Sequence, residues 1–132
     1  MDSMEDIPSK PRGEVLLVVG DEPLRRALAE TLHAEGWITL ALSRLDDARL
    51  RLSRVTPVAL VIDVDSLQDA LALCDEVSRL ATPPAVIVVS EHAQPPCDAK
   101  APKVAFLQKP FGRHALLSRL DSAAATTASA RA

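Results

Sequence analysis

Tyrosine is absent, and one tryptophan and two phenylalanines are the only aromatic residues in a chain of 132. Binding of single-stranded nucleic acid without sequence preference needs aromatic faces on which bases stack, so composition argues against that function. An excess of positive charge is also missing. The 15 basic and 18 acidic side chains leave a formal charge of -3, with no general attraction for a phosphate backbone or an anionic lipid surface. No apolar run approaches the roughly 20 residues of a membrane span. The chain opens without a charged segment leading into an apolar one, so no export signal is expected and a cytoplasmic location is the default. Its two cysteines, Cys74 and Cys97, then read as reduced thiols. The histidines His33, His92 and His114 share no spacing that brings two onto one metal. Glycine-rich phosphate loops are lacking as well: VVGDEP has none of the later glycines of a dinucleotide fingerprint, and no GxxxxGK[ST] occurs.

What is present is enough apolar material for one core. With 48% hydrophobic and 25% charged residues, the composition is that of a single soluble globular domain. Residues 1–14 (MDSMEDIPSKPRGE) and 123–132 (AAATTASARA) lack periodicity and read as flexible tails, the second equally as the start of a linker. The domain is expected over residues 15–122.

Within it lie five short apolar runs rich in β-branched residues: 15–19 (VLLVV), 38–42 (ITLAL), 58–62 (VALVI), 85–89 (AVIVV) and 104–107 (VAFL). They are continuous rather than alternating, as strands covered on both faces should be. Between most of them, apolar residues recur at helical spacing: Leu24, Leu28 and Leu32; Leu45, Ala48 and Leu52; Leu67, Leu71, Cys74 and Leu80; Leu116 and Leu120. Pro23 suits a first helical turn, and Ser43 with Asp46 resembles a capping box. Trp37 reads as a packing residue, and Arg25 with Arg26 as a solvated helix face. Alternating strands and helices imply right-handed crossovers and an open α/β sandwich with a parallel sheet. Residues 91–103 (EHAQPPCDAKAPK) are the exception, because Pro95, Pro96 and Pro102 leave room only for a short, displaced or absent fourth helix.

In open parallel sheets, reactive groups collect beyond the carboxyl ends of the strands, where the winding reverses. Those ends carry Asp21 and Glu22, then Asp63 and Asp65, then Ser90, then Lys109 and Pro110. Carboxylates, a hydroxyl and an ammonium are expected to converge there.

The segments LLVVGDEPLRRAL, ALVIDVD, VIVVS and FLQKPF, in that order and at these separations, resemble the receiver domain of two-component response regulators. The likeness covers residues 15–120. It implies a flavodoxin-like doubly wound sheet of order 2-1-3-4-5, a signalling domain rather than an enzyme, and phosphotransfer from a histidine kinase or phosphotransfer protein, with an effector domain or partner protein as the output. Under that resemblance Asp63 is the phosphoacceptor. Asp21 and Asp63 hold Mg²⁺ by side chain and Asp65 by its backbone carbonyl. Lys109 pairs with a phosphoryl oxygen, Ser90 donates a hydrogen bond to another, and Ser90 and Phe106 are the switch pair. The bond before Pro110 is a candidate cis peptide. Homodimers through the helix beginning near Gly112 are implied by the resemblance alone.

Several residues depart from the family pattern. Members carry two adjacent acids where this chain has Gly20 and Asp21. The missing acid is one that tends to reach the metal through water, so Mg²⁺ affinity is expected to fall about 10 to 100-fold rather than vanish. Glu22 is a substitute to consider. The segment DVDSLQDA lacks the usual methionine, proline and glycine turn after the phosphoacceptor, and Phe106 has no hydroxyl. Gly20, the absent turn and the prolines before the fifth run motivate a second reading, a pseudo-receiver that works as a protein-interaction module without phosphorylation. A flavodoxin-like binder of a small ligand is a third.

Overall fold

A computed structural model describes residues 13–91, 104–109 and 111–131. The elements run β1 (Glu14–Val19), α1 (Glu22–Ala34), β2 (Ile38–Leu42), α2 (Leu45–Leu52), β3 (Ala59–Asp63), α3 (Leu67–Ser78), β4 (Ala85–Ser90), β5 (Val104–Gln108) and α4 (Arg113–Arg131). The strands form one sheet in the order β2-β1-β3-β4-β5, all neighbours parallel. The expected fold class and strand order are therefore observed. The expectation for a fourth helix within 91–103 and the candidate cis bond before Pro110 fall on residues outside the described ones.

Successive residues of a strand face opposite sides of a sheet, and the core divides accordingly. Val15, Leu17, Val19, Ala59, Val61, Ile87, Val89 and Leu107 pack with Leu28 and Leu32 of α1 and Leu116 and Leu120 of α4. Leu16, Val18, Leu60, Ile62, Val86 and Val88 pack with Ala48 of α2 and Ala70, Leu73, Cys74 and Val77 of α3. Two covered faces are why the strand sequences are apolar at every position.

The turn from α1 into β2 shows how local chemistry sets an entry angle. Gly36 has φ 95°, a region open to glycine, and its amide donates to the His33 carbonyl at 3.0 Å while the Trp37 amide donates to Leu32 at 3.0 Å. That pair of bonds is a Schellman motif, and its hydrophobic contact is made by Trp37 and Leu32, both fully buried in one cluster. Trp37 is thus a packing residue, as expected.

Two local expectations are corrected. The N-cap of α2 is Arg44, with no side-chain cap bond, so the box expected from Ser43 and Asp46 does not form. The helix begins one residue later than that pairing requires, leaving Ser43 outside it. In α3 the buried stripe is Ala70, Leu73, Cys74 and Val77; Leu71 is only half-buried and Leu80 lies beyond the helix end, 38% exposed. Both stripes obey helical spacing, and the one that packs on the sheet is that of Ala70, Leu73, Cys74 and Val77. Among the described residues, no helix is long and apolar enough to cross a membrane.

Candidate functional site

Asp63 is the last residue of β3 and, among the described residues, the one charged or polar residue in the buried set, at 8% exposure. Its position alternates with Ala59 and Val61, which places it on the side of the sheet covered by α1 and α4. Burying a carboxylate is costly unless its charge is met. Here Lys109 meets it: the ammonium Nζ lies 2.8 Å from Asp63 Oδ2. Oδ2 is sealed from solvent and, among the described residues, takes no directed hydrogen bond in addition to this ion pair.

The sheet brings this pair together from distant parts of the chain. Lys109 follows β5, and its amide donates to the Ser90 carbonyl at 2.8 Å, tying the end of β5 to the end of β4. From there the lysine stem reaches past β4 to β3. A cleft of about 190 Å³ opens beside the pair, lined by Asp63, Val64, Asp65, Val89, Ser90, Glu91 and Lys109. Asp63, Asp65, Ser90 and Lys109, four of the residues expected at the site, therefore share one cleft. Glu91 is a fifth polar member that the sequence reading did not single out. Its only signal was position, directly after the last residue of a strand.

The β1 side is organised differently. Val19 stands in register with Asp63, and the Gly20 amide donates to the Asp63 carbonyl at 3.1 Å, so Asp21 begins the next element right beside β3. Asp21 is the N-cap of α1: its Oδ2 accepts from the Leu24 amide at 3.0 Å. It is exposed and does not line the cleft. Pro23 occupies the first turn, as expected. Glu22 does not turn toward the site. It pairs with Arg26 at 3.3 Å, both side chains largely exposed, which argues against its standing in for the missing acid. Arg25 corrects the expectation of a solvated face: it is half-buried and its guanidinium donates to the Val19 carbonyl at 2.9 Å, binding α1 to the end of β1. Nothing in the RR dipeptide marks which arginine turns inward.

Gly20 has no conformational reason to be glycine. Its φ is not positive, and an added Cβ would meet no atom within 4 Å. An acid would fit there without displacing anything. Phe106 is half-buried and packs against the α2 and α3 layer, a core contact for the expected switch aromatic.

The residues expected to hold a divalent ion, Asp21, Asp63 and Asp65, follow or end the neighbouring strands β1 and β3, and all offer hard oxygens. Oxygen donors of this kind are the chemistry Mg²⁺ takes, since it keeps several waters and needs few protein ligands. Among the described residues, no group of three or more His, Cys, Asp or Glu side chains is placed to hold a metal.

A second charged cluster bridges α2 and α3. Arg49 donates to both oxygens of Glu76, at 3.0 and 2.9 Å, and to Asp46 at 2.9 Å. The hydrogen bonds to Glu76 hold the Arg49 pKa above its ordinary value, and the same bonds hold the Glu76 carboxyl below its own.

No protein-family model and no curated protein matches the chain. Solved structures do match. The NtrC4 receiver domain, solved as a beryllofluoride-activated dimer, superposes with a TM-score of 0.75 at 25% identity, over 86% of this chain and 98% of that one. NtrX from Brucella abortus, solved with ADP, gives a TM-score of 0.76 at 24% identity over 90% of this chain. The match spans only 28% of the NtrX chain. A sensor protein from Polaromonas sp. JS666 gives 0.78 at 22% identity over 89% and 99% of the two chains. The chain has the fold of a response-regulator receiver domain.

Proposed function

We propose that this receiver-fold chain is a phosphoacceptor module in two-component signalling, taking a phosphoryl group on Asp63 from a phosphohistidine of a histidine kinase or phosphotransfer protein. The observation that carries the reading is the buried Asp63 carboxylate with the Lys109 ammonium 2.8 Å away, beside a polar cleft at the carboxyl edge of a parallel sheet. The Asp63 oxygen attacks phosphorus as the bond to the histidine nitrogen breaks, and the histidine leaves with its electron pair. Lys109, paired with Asp63, would exchange it for a phosphoryl oxygen, and Ser90, which lines the same cleft, would donate to another. Asp21, Asp63 and the Asp65 carbonyl would hold Mg²⁺, which supplies positive charge against the phosphoryl oxygens. The signal then passes to a partner protein or an attached effector domain.

The test is addition of beryllofluoride with Mg²⁺, followed by NMR. The expected outcome is a shift of the Ser90 and Lys109 amides in the wild type and none in Asp63→Asn. A wild-type spectrum unchanged by both additions overturns the proposal.

One observation favours a second reading. The open space at Gly20 means that the acid was not excluded by packing, which is consistent with relaxed selection on metal binding in a module that works by protein contact alone. That reading expects Asp63→Ala to preserve partner binding and output, and loss of output in a folded Asp63→Ala protein would refute it.

A further inference from the structure

We infer that Arg25 is a positioning residue for the phosphoacceptor: its guanidinium fixes the peptide that joins Val19 to Gly20, and that peptide holds the backbone of Asp63. The inference rests on the phosphoacceptor reading above.

Two hydrogen bonds run in series through one peptide group. The Arg25 guanidinium donates to the Val19 carbonyl at 2.9 Å, and the amide on the other side of the same peptide, that of Gly20, donates to the Asp63 carbonyl at 3.1 Å. A cationic donor on the carbonyl polarises the peptide and makes its N–H a stronger donor, so the first bond reinforces the second. Val19 and Asp63 are the last residues in register between β1 and β3, and beyond them the Gly20 amide ties the end of β3 to β1.

Gly20 makes this support necessary. Glycine loses more backbone freedom on ordering than any other residue, and Gly20 has no side chain with which to pack and hold the turn. Arg25 closes the turn from both ends, because its own amide donates to the Asp21 carbonyl at 2.9 Å while its side chain reaches back to Val19. Half-buried on α1, it acts from the side opposite to Lys109: the Asp63 backbone is fixed from β1, whereas its carboxylate is met by an ammonium that follows β5. When Lys109 gives up the carboxylate for a phosphoryl oxygen, the backbone anchor remains to keep the nucleophile aimed. Misplacing a reacting atom by about 1 Å can cost about 100-fold in rate, so an anchor outside the cleft bears on the chemistry inside it.

The experiment follows two readouts in wild type, Arg25→Lys and Arg25→Met. One is the NMR scalar coupling across the hydrogen bond from the Gly20 amide to the Asp63 carbonyl, recorded without a phosphodonor. The other is the rate at which acetyl phosphate labels Asp63 at saturating Mg²⁺, where a change in metal affinity does not enter. Arg25→Met is expected to lose most of the coupling and to label about 10-fold more slowly, and Arg25→Lys, which keeps a charged donor on a long stem, to retain much of both. Amides of the β4 and β5 pair should keep their protection from hydrogen exchange in both variants. A wild type without the coupling overturns the inference, as does a variant that loses the coupling and labels at the wild-type rate. Loss of protection throughout the sheet in Arg25→Met also overturns it, because the role is then one of general stability. In these outcomes a labelled wild type leaves the phosphoacceptor reading standing. If Asp63 takes no label in any of the three proteins, the phosphoacceptor reading fails and this inference fails with it.

Discussion

Two clusters of opposite charge lie on this sheet, and the contrast between them is one of access to water. Across the α2 and α3 seam, Arg49 makes 2.9 Å contacts with Asp46 and with Glu76, with side chains 36%, 77% and 48% exposed. At the strand ends, Lys109 and Asp63 approach to 2.8 Å, an almost equal distance, but the Asp63 side chain is only 10% exposed. Distance alone would rank the clusters together. Water separates them. The seam charges are solvated with or without one another, so their pairing contributes little to stability even though it shifts both pKa values. The Asp63 carboxylate has already lost most of its hydration, so its single counter-charge matters more. The same difference bears on the proposed function: the arginine of the seam is shared between two acids, whereas the Lys109 ammonium has one ion-pair partner among the described residues, which that function would have it exchange for a phosphoryl oxygen.

The contrast can be broken most directly at Lys109. Replacing it with methionine leaves a desolvated carboxylate without its partner and is expected to destabilise the fold by about 2 kcal/mol in urea denaturation, a value held down by the partial exposure of the lysine. The Asp63→Asn, Lys109→Met double variant should recover much of that loss. Strict additivity of the two changes would show that the pair is not coupled.

Gly20→Asp sharpens the contrast by adding charge to the same edge. With open space at that position, the acid should enter without a packing penalty and tighten Mg²⁺ binding by about 10-fold, measured by titration at the Asp63 resonances. Unchanged affinity would mean that Gly20 is not what limits the metal site.

The smallest effect is expected at the seam. Arg49→Ala should move the denaturation midpoint only slightly, and the difference from wild type should shrink further in high salt. Because the Glu76 pKa is lowered in the folded protein from its ordinary 4.5, its contribution is present above that value and is lost as pH falls through the folded pKa. Wild type and Glu76→Gln should therefore converge in stability at the acid end of a pH series. A seam variant as damaging as Lys109→Met would reverse the comparison.

The sequence disclosed more of the sheet than of its surroundings. Strands buried on both faces must be apolar at every position, so five such runs could be recognised, and with crossovers of fixed hand the carboxyl ends were known to meet on one edge. Asp63, Asp65, Ser90 and Lys109 were legible for that reason. The stripe of α3 was not, since two sets of residues satisfied the same period and only contact with β3 and β4 chose between them. Arg25 and Glu91 were missed because a charged side chain carries no period. Whether it points to water or to a carbonyl depends on neighbours that are remote in sequence.

Residue order alone determined that this chain forms a parallel sheet with helices on both sides and gathers its acids, its hydroxyl and its lysine at one edge, because hydrophobic periodicity and chain handedness allow little else. Only the tertiary structure decided that Asp63 is withdrawn from water against Lys109, that Asp21 caps a helix outside the cleft, and that Glu91 stands on the cleft wall. Desolvation and charge pairing depend on what lies within a few ångströms in space, and that distance is written in no local stretch of sequence.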